Sequence, residues 1–100
     1  MIRHVVMFNW TPEATAEQVE QVVTELGKLP ARIGAIKAYA FGPDAGFAQG
    51  NFDFAVTADF DDEAGYVSYR DHPDHREIVQ RLIAPIMAER SAVQFEVTGP

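Results

Sequence analysis

The chain has 100 residues, 47% hydrophobic and 23% charged, a composition typical of one globular domain rather than a disordered chain. Fifteen acidic residues against eight basic ones give a net charge of −7, which argues against nucleic-acid binding and against attraction to an anionic membrane surface. There are no cysteines, so disulfide bonds and thiol nucleophiles are excluded.

The first residues form an apolar run, Met1–Phe8, that is too short for a secretory signal and breaks at Asn9 and Trp10. No stretch of the sequence approaches the ~20 apolar residues that a membrane-spanning helix requires. We therefore expect a cytoplasmic protein without a membrane partner.

The same run alternates as a β-strand does from Ile2 to Trp10. One predicted face carries Ile2, His4, Val6, Phe8 and Trp10, and the other carries Arg3, Val5, Met7 and Asn9. Because Val5 and Met7 make the second face partly apolar, this strand is predicted to be covered on both sides.

The first helix is predicted from a capping box in which Thr15 precedes Gln18 by three residues. Apolar side chains then recur at helical spacing, namely Val19, Val22, Val23, Leu26 and Leu29. Since a residue before proline disfavours the helical conformation, we expect the helix to end near Lys28–Leu29, ahead of Pro30.

Three further strands are predicted after this helix. Ala35–Phe41 indicates a weaker strand, and Gly42–Gly50 a polar loop. Phe52–Phe60 alternates most clearly, and Val93–Val97 alternates near the end of the chain. A second helix between the last two strands is predicted to be capped by Asp61 or Asp62, interrupted at Pro73 and closed at Pro85.

The order β-α-β-β-α-β predicts an α+β, ferredoxin-like domain spanning 1–100, with a four-stranded antiparallel sheet and both helices on one face. The other face would leave Val5, Met7 and Ala55 in water. We therefore predict a homodimer that forms through the open sheet face.

The densest group of reactive side chains is segment 69–75, Tyr-Arg-Asp-His-Pro-Asp-His. Imidazole titrates near neutral pH, and a helix broken at Pro73 can turn side chains toward a cavity, so the segment suits proton transfer. A structural interpretation stays open, in which His72 caps a helix end and His75 is a solvated helix residue.

His4 is the one polar side chain on the predicted helix-facing side of the first strand. It is either a satisfied core histidine or, if it meets Tyr69 or His75, the polar corner of a small-molecule pocket. A metal site at His72 and His75 lacks a third well-placed ligand, so no metal is predicted. The Gly42–Gly50 loop contains neither of the two phosphate-binding motifs, G-x-G-x-x-G and G-x-x-x-x-G-K-S/T, so no phosphate site is predicted there.

Seven segments carry a family resemblance: 2–8, 41–44, 50–54, 59–60, 69–75, 83–85 and 93–97. The most specific features are the Tyr-x-x-His-Pro-x-His string at 69–75 and the early His4. On these residues the chain resembles, over essentially its whole length, the stress-responsive dimeric α/β-barrel proteins, or Dabb domain family. The resemblance implies a ferredoxin-like fold whose sheets pair face to face in a dimeric barrel.

One plant branch of that family consists of polyketide cyclases, which close a ring by aldol condensation without metal or cofactor. The resemblance to this branch implies His75 as the base, Tyr69 as its assistant and His4 as the strand histidine of the pocket. It also implies a substrate-binding set of Val6, Phe8, Val56, Ala58, Tyr66, Arg70, His72 and Ile78. Arg70 departs from the branch, which has an aliphatic residue there.

Three functional hypotheses follow. The first is a cofactor-free enzyme of the cyclase or aldol type that acts on a small apolar, carbonyl-bearing ligand. The second is a stress-response, ligand-binding or assembly protein whose histidines are structural. The third is a cofactor-free monooxygenase or lactone isomerase, activities found in other dimeric α/β barrels.

Overall fold

Strands and helices alternate along the chain in the computed structural model, which describes residues 1–98. In chain order they are β1 (Ile2–Trp10), α1 (Ala16–Leu26), α2 (Leu29–Arg32), β2 (Ala38–Pro43), β3 (Phe54–Phe60), α3 (Glu63–Asp71), α4 (Pro73–Ile78) and β4 (Met87–Glu96). A π-helical turn (Val79–Ile83) and a 3₁₀ turn (Ala84–Ile86) join α4 to β4. None of the helices in this part of the chain is long and apolar enough to cross a bilayer.

The four strands form one antiparallel sheet in the order β2-β3-β1-β4. The two central strands are those with the clearest alternation, and His4 of β1 pairs with Ala58 of β3 and Gln94 of β4. The predicted ferredoxin-like α+β fold with a four-stranded antiparallel sheet is therefore confirmed.

The start of α1 is set by the predicted capping box. Thr15 Oγ1 accepts the Gln18 N–H at 3.2 Å, and Gln18 Oε1 accepts the Thr15 N–H at 2.9 Å. The predicted end near Lys28–Leu29 is wrong, because α1 stops at Leu26 and Pro30 lies in the first turn of the short helix α2. Proline is tolerated in a first turn, where its missing N–H has no intrahelical partner to lose.

The strand ends also differ from the predicted ones. The β2–β3 loop begins later than expected because Asp44 N–H donates to the Asp53 carbonyl and the Asp44 carboxylate accepts from Gly46 N–H and Asn51 Nδ2. Strand β4 begins at Met87 rather than Val93, because it pairs with β1 along nearly its whole length.

The core lies between the helices and one face of the sheet. Its buried side chains include Phe54 and Phe60 from β3 and Leu26, Leu29 and Ile78 from the helices. The helix-facing residues of β1 run from His4 through Val6 to Phe8, all buried, as the alternation of that strand predicts. The fold thus holds His4 beneath α3 and α4.

The opposite face of the sheet carries no helix. Val93 and Phe95 pair with Val5 and Arg3 across β1 and β4, so their side chains project from this face, where they are 54% and 43% exposed. Met7 lies on the same face and is only half-buried. A contiguous exposed apolar surface of this kind is typical of a protein–protein interface.

Candidate functional site

A cavity of about 150 Å³ lies between the helix-covered face of the sheet and the segment from α3 to β4. It is lined by His4, Val6, Phe8, Leu26, Val56, Tyr66, Tyr69, Arg70, His75, Val79, Ile83, Met87 and Arg90. An apolar cavity of this volume holds a molecule of about the size of benzene. The site therefore suits a small ligand rather than an extended one.

Most of the predicted site residues meet at this cavity. They are the three predicted catalytic residues His4, Tyr69 and His75, together with Val6, Phe8, Val56, Tyr66 and Arg70. Pro73 separates α3 from α4, so that Tyr69 and His75 approach each other with their ring centroids 4.2 Å apart. Their roles in binding or catalysis remain predictions.

Three residues of the predicted lining lie elsewhere. His72 is the N-cap of α4, and its Nδ1 accepts the Asp74 N–H at 3.1 Å. Ile78 is packed in the core at 2% exposure, and Ala58 is buried in the sheet between His4 and Tyr39, where its methyl group does not reach the cavity. These three predicted substrate-binding residues therefore lie outside the cavity lining.

Five lining residues were not predicted: Leu26, Val79, Ile83, Met87 and Arg90. Val79 and Ile83 begin and end the π-helical turn, a local widening that recurs at functional sites. The helical periodicity of the sequence marks them as apolar but does not indicate the turn. Met87 and Arg90 belong to the part of β4 whose sequence does not alternate.

The imidazole of His75 is held by a backbone carbonyl that the helix break leaves unpaired. The His75 Nδ1 and the Arg70 carbonyl oxygen are 3.1 Å apart, so the neutral ring carries its proton on Nδ1 and donates it to that oxygen. Burial lowers the pKa of His75 below 6.5, and His72 and Arg90 lower it further, against the opposing effect of this hydrogen bond. The lone pair on Nε2 is thereby available as a base at neutral pH.

The imidazole of His4 has the opposite proton arrangement. The side-chain amide of Gln94 donates to His4 Nδ1 at 2.8 Å, which leaves the ring proton on Nε2. Burial, with Arg90 and His75 nearby, lowers the pKa of His4 to about 4, so the ring is neutral. His4 Nε2 has no hydrogen-bond partner among residues 1–98. Since no buried side-chain nitrogen or oxygen in that part of the chain lacks a partner, this atom is accessible, and the residue lines the cavity.

The hydroxyl of Tyr69 is hydrogen-bonded to that of a second tyrosine, Tyr39, which the sequence did not indicate as part of the site. The hydroxyl oxygens of Tyr69 and Tyr39 are 2.8 Å apart, and Tyr69 is only 2% exposed. Burial raises the pKa of Tyr39 to about 12 and raises that of Tyr69 further, so both remain protonated phenols. Either hydroxyl can be the donor in this pair, and when Tyr39 donates to the Tyr69 oxygen, the Tyr69 O–H is not used within the pair.

Metal binding at this site is not predicted, and residues 1–98 contain no group of three or more histidines or carboxylates positioned to hold an ion. Exhaustive chelation is therefore expected to leave the melting temperature and ligand binding unchanged, as measured by differential scanning fluorimetry. A lower melting temperature that one divalent ion restores would contradict this expectation.

Comparison with known proteins gives a family match over nearly the whole chain. Residues 2–97 match the profile of the family described as the stress responsive A/B barrel domain, Dabb. No curated protein matches the chain.

Solved structures match as well. A dimeric ferredoxin-like protein of unknown function from Thermobifida fusca is 55% identical, with 96% of this chain and 90% of that chain covered and a TM-score of 0.90. A Dabb family protein from Mesorhizobium loti is 21% identical over 98% and 97% of the two chains, with a TM-score of 0.80. The hydroxynitrile lyase of Passiflora edulis is 19% identical over 99% and 96%, with a TM-score of 0.82. At such identities the last two support the fold alone.

Proposed function

Since this chain belongs to the stress responsive A/B barrel domain family, we propose that it is a homodimer whose cavity binds a small carbonyl-bearing molecule and transfers a proton next to that carbonyl. The observation that carries the proposal is the pair of imidazoles at the cavity. His75 offers a lone pair on Nε2 and His4 offers a proton on Nε2, each fixed by a hydrogen bond at its other nitrogen.

The two proton states complement each other toward a carbonyl compound. A carbonyl oxygen accepts the His4 Nε2–H, while the His75 Nε2 accepts a proton from the adjacent carbon. Because the surrounding walls are apolar, these hydrogen bonds are stronger than they would be in water. Neither group requires a cofactor.

In the proposed step, the bond between the α-carbon and its hydrogen breaks and the proton moves to His75 Nε2. The electron pair of that bond forms the carbon–carbon double bond of an enolate. Tyr69 donates a hydrogen bond to the enolate oxygen, and His4 orients the same oxygen through its Nε2–H. The enolate then takes a proton back or attacks a second carbonyl, as in an aldol ring closure of the polyketide cyclase type.

Homodimer formation is supported by the open apolar sheet face and by the dimeric Thermobifida fusca protein. Among the other fold neighbours are the hydroxynitrile lyase and an antibiotic biosynthesis monooxygenase that is 17% identical to this chain. Because both lie below 25% identity, they support the fold alone, and the imidazole pair supports the reaction class.

Binding tests the proposal before any reaction is known. We expect 4-methylpentan-2-one and 4-methyl-2-oxopentanoate, two small carbonyl compounds with a branched apolar body, to shift the NMR signals of His4, Tyr69 and His75 upon titration. Wild-type protein is also expected to speed the exchange of their α-protons with D₂O. If neither probe binds and no exchange occurs, the cavity is not a binding site for such compounds and the stress-response or assembly hypothesis takes precedence.

The tyrosine pair gives a graded prediction. Tyr69→Phe removes the donor to the enolate oxygen and is expected to lower the exchange rate roughly 10–10³-fold. Tyr39→Phe removes only the partner that orients Tyr69, so we expect kcat to fall by about tenfold or less with KM unchanged. Steady-state kinetics of both variants separate the two roles, and a Tyr69→Phe rate equal to wild type would exclude the hydrogen-bonding role.

A further inference from the structure

The charge around the cavity is opposite in sign to that of the whole chain. The protein carries fifteen acidic and eight basic residues, yet the cavity lining holds two arginines and no carboxylate. Both arginines are exposed, so this segregation places positive potential on the solvent-facing side of a mainly apolar site.

The two arginines differ in what they already bind. The Arg70 guanidinium forms two hydrogen bonds to the Asp71 carboxylate, at 2.9 and 3.1 Å, so its charge is largely balanced. Arg90 forms no ion pair with a carboxylate of residues 1–98. The uncompensated charge at the cavity is therefore that of Arg90.

The position of Arg90 directs its charge to the site. It pairs with Phe8 across β1 and β4, which puts its side chain on the helix-facing side of the sheet, where Phe8 also lines the cavity. Its field reaches both imidazoles, because it contributes to the lowered pKa values of His4 and His75. An anionic group at the same place would offset this repulsion.

We propose that the cavity is specific for a small oxo acid, whose apolar body enters the cavity while its carboxylate binds Arg90 at the mouth. This inference rests on the proposed function, because it assumes that the cavity binds the carbonyl compound. The volume limits the body to a branched aliphatic group or a single ring. A guanidinium suits the carboxylate because it can donate two parallel hydrogen bonds.

A purely structural role for Arg90 makes a different prediction. Strand β4 is an edge strand, and charged side chains on an edge discourage pairing with other chains. If Arg90 served only that purpose, the protein would not distinguish an acid from a neutral molecule of the same shape.

A matched pair of ligands tests the inference. We would titrate 4-methyl-2-oxopentanoate and its neutral amide, 4-methyl-2-oxopentanamide, into wild-type protein and into Arg90→Gln by isothermal calorimetry or NMR. Wild type is expected to bind the acid about tenfold more tightly, with the preference falling at high salt, and Arg90→Gln to lose most of that preference. Arg32→Gln is the control, since it removes the same charge from an exposed arginine of α2 outside the cavity.

Equal affinity of wild type for acid and amide, or a preference that Arg90→Gln retains, would overturn the inference. Failure to bind either compound while 4-methylpentan-2-one still binds would overturn it alone, and failure to bind all three, with no exchange, would overturn it together with the proposed function. The two are separable: His75-dependent exchange without any preference for the acid removes only the Arg90 inference. An Arg90-dependent preference for the acid, with an exchange rate that His75→Ala does not alter, removes only the proton-transfer step.

Discussion

Replacing His75 with alanine is expected to slow the protein-dependent exchange of α-protons by about 10²–10⁴-fold, the usual contribution of a general base. The reason is that His75 lines the cavity and its Nε2, unlike Nδ1, has no hydrogen-bond partner among residues 1–98, so we infer that this unprotonated nitrogen is the base. The variant also loses the hydrogen bond to the Arg70 carbonyl, so we expect a loss of stability of only about 1 kcal/mol. Exchange rates by NMR and thermal melts measure the two effects separately.

The control for this variant is His72→Asn. It removes the neighbouring imidazole, which lies outside the cavity, and asparagine is a good substitute at the N-cap of α4. We expect its exchange rate to match wild type. The opposite pattern, with His75→Ala active but destabilised, would give His75 a structural role.

The same group predicts the pH dependence of the reaction. Because burial lowers the pKa of His75 below 6.5, the ring is a neutral base at pH 7 and gains a proton only as the pH falls through its lowered pKa. The rate is therefore expected to be flat around neutrality and to decline in the acidic range. His4 remains neutral over a wider range, since its pKa is about 4.

Replacing Val93 with aspartate is expected to convert the proposed homodimer into monomers. Val93 pairs with Val5 on the open sheet face, where it is 54% exposed in the single chain. A carboxylate there is harmless in a monomer but becomes buried and unpaired between two sheets, at a cost of several kcal/mol. The dissociation constant should rise by at least about 10²-fold, which sedimentation velocity at micromolar concentration detects as a halved mass.

The control lies one residue away on the same strand. Ala92→Asp adds the same charge on the helix-facing side of β4, where Ala92 pairs with Val6, so its mass should stay that of wild type. Val5→Asp, which changes the cross-strand partner of Val93 on the same open sheet face, should dissociate the dimer as well. A wild-type protein that is already monomeric, or a Val93→Asp protein that stays dimeric, would disprove the proposed interface.

The parts of the fold that the sequence could predict are those governed by local patterns. Alternation identified β1 and β3, Thr15 and Gln18 identified the start of α1, and Pro73 identified the break that brings Tyr69 to His75. These signals involve residues near one another in the chain. The structural alternative considered for His72 also has a local cause, because the ring caps the helix that begins at Pro73.

The remaining features depend on long-range pairing. Residues 87–92, Met-Ala-Glu-Arg-Ser-Ala, have no strand pattern, and only pairing with β1 makes them extended and brings Arg90 to the cavity. Likewise, the hydrogen bond between Tyr39 and Tyr69 requires β2 and α3 to meet above the sheet. The family resemblance implies Ile78 as a lining residue, but its place in the core follows from the packing of α4.

The central claim is that His75 presents an unprotonated Nε2 to a ligand in the cavity. Long-range ¹H–¹⁵N correlation spectra of histidine-labelled protein measure this directly, because they report the tautomer and the pKa of each ring. We expect His75 to carry its proton on Nδ1, to titrate below 6.5, and to show a shifted Nε2 signal when 4-methyl-2-oxopentanoate binds. A proton on Nε2, or a pKa of 6.5 or above with no response to the ligand, would contradict the claim.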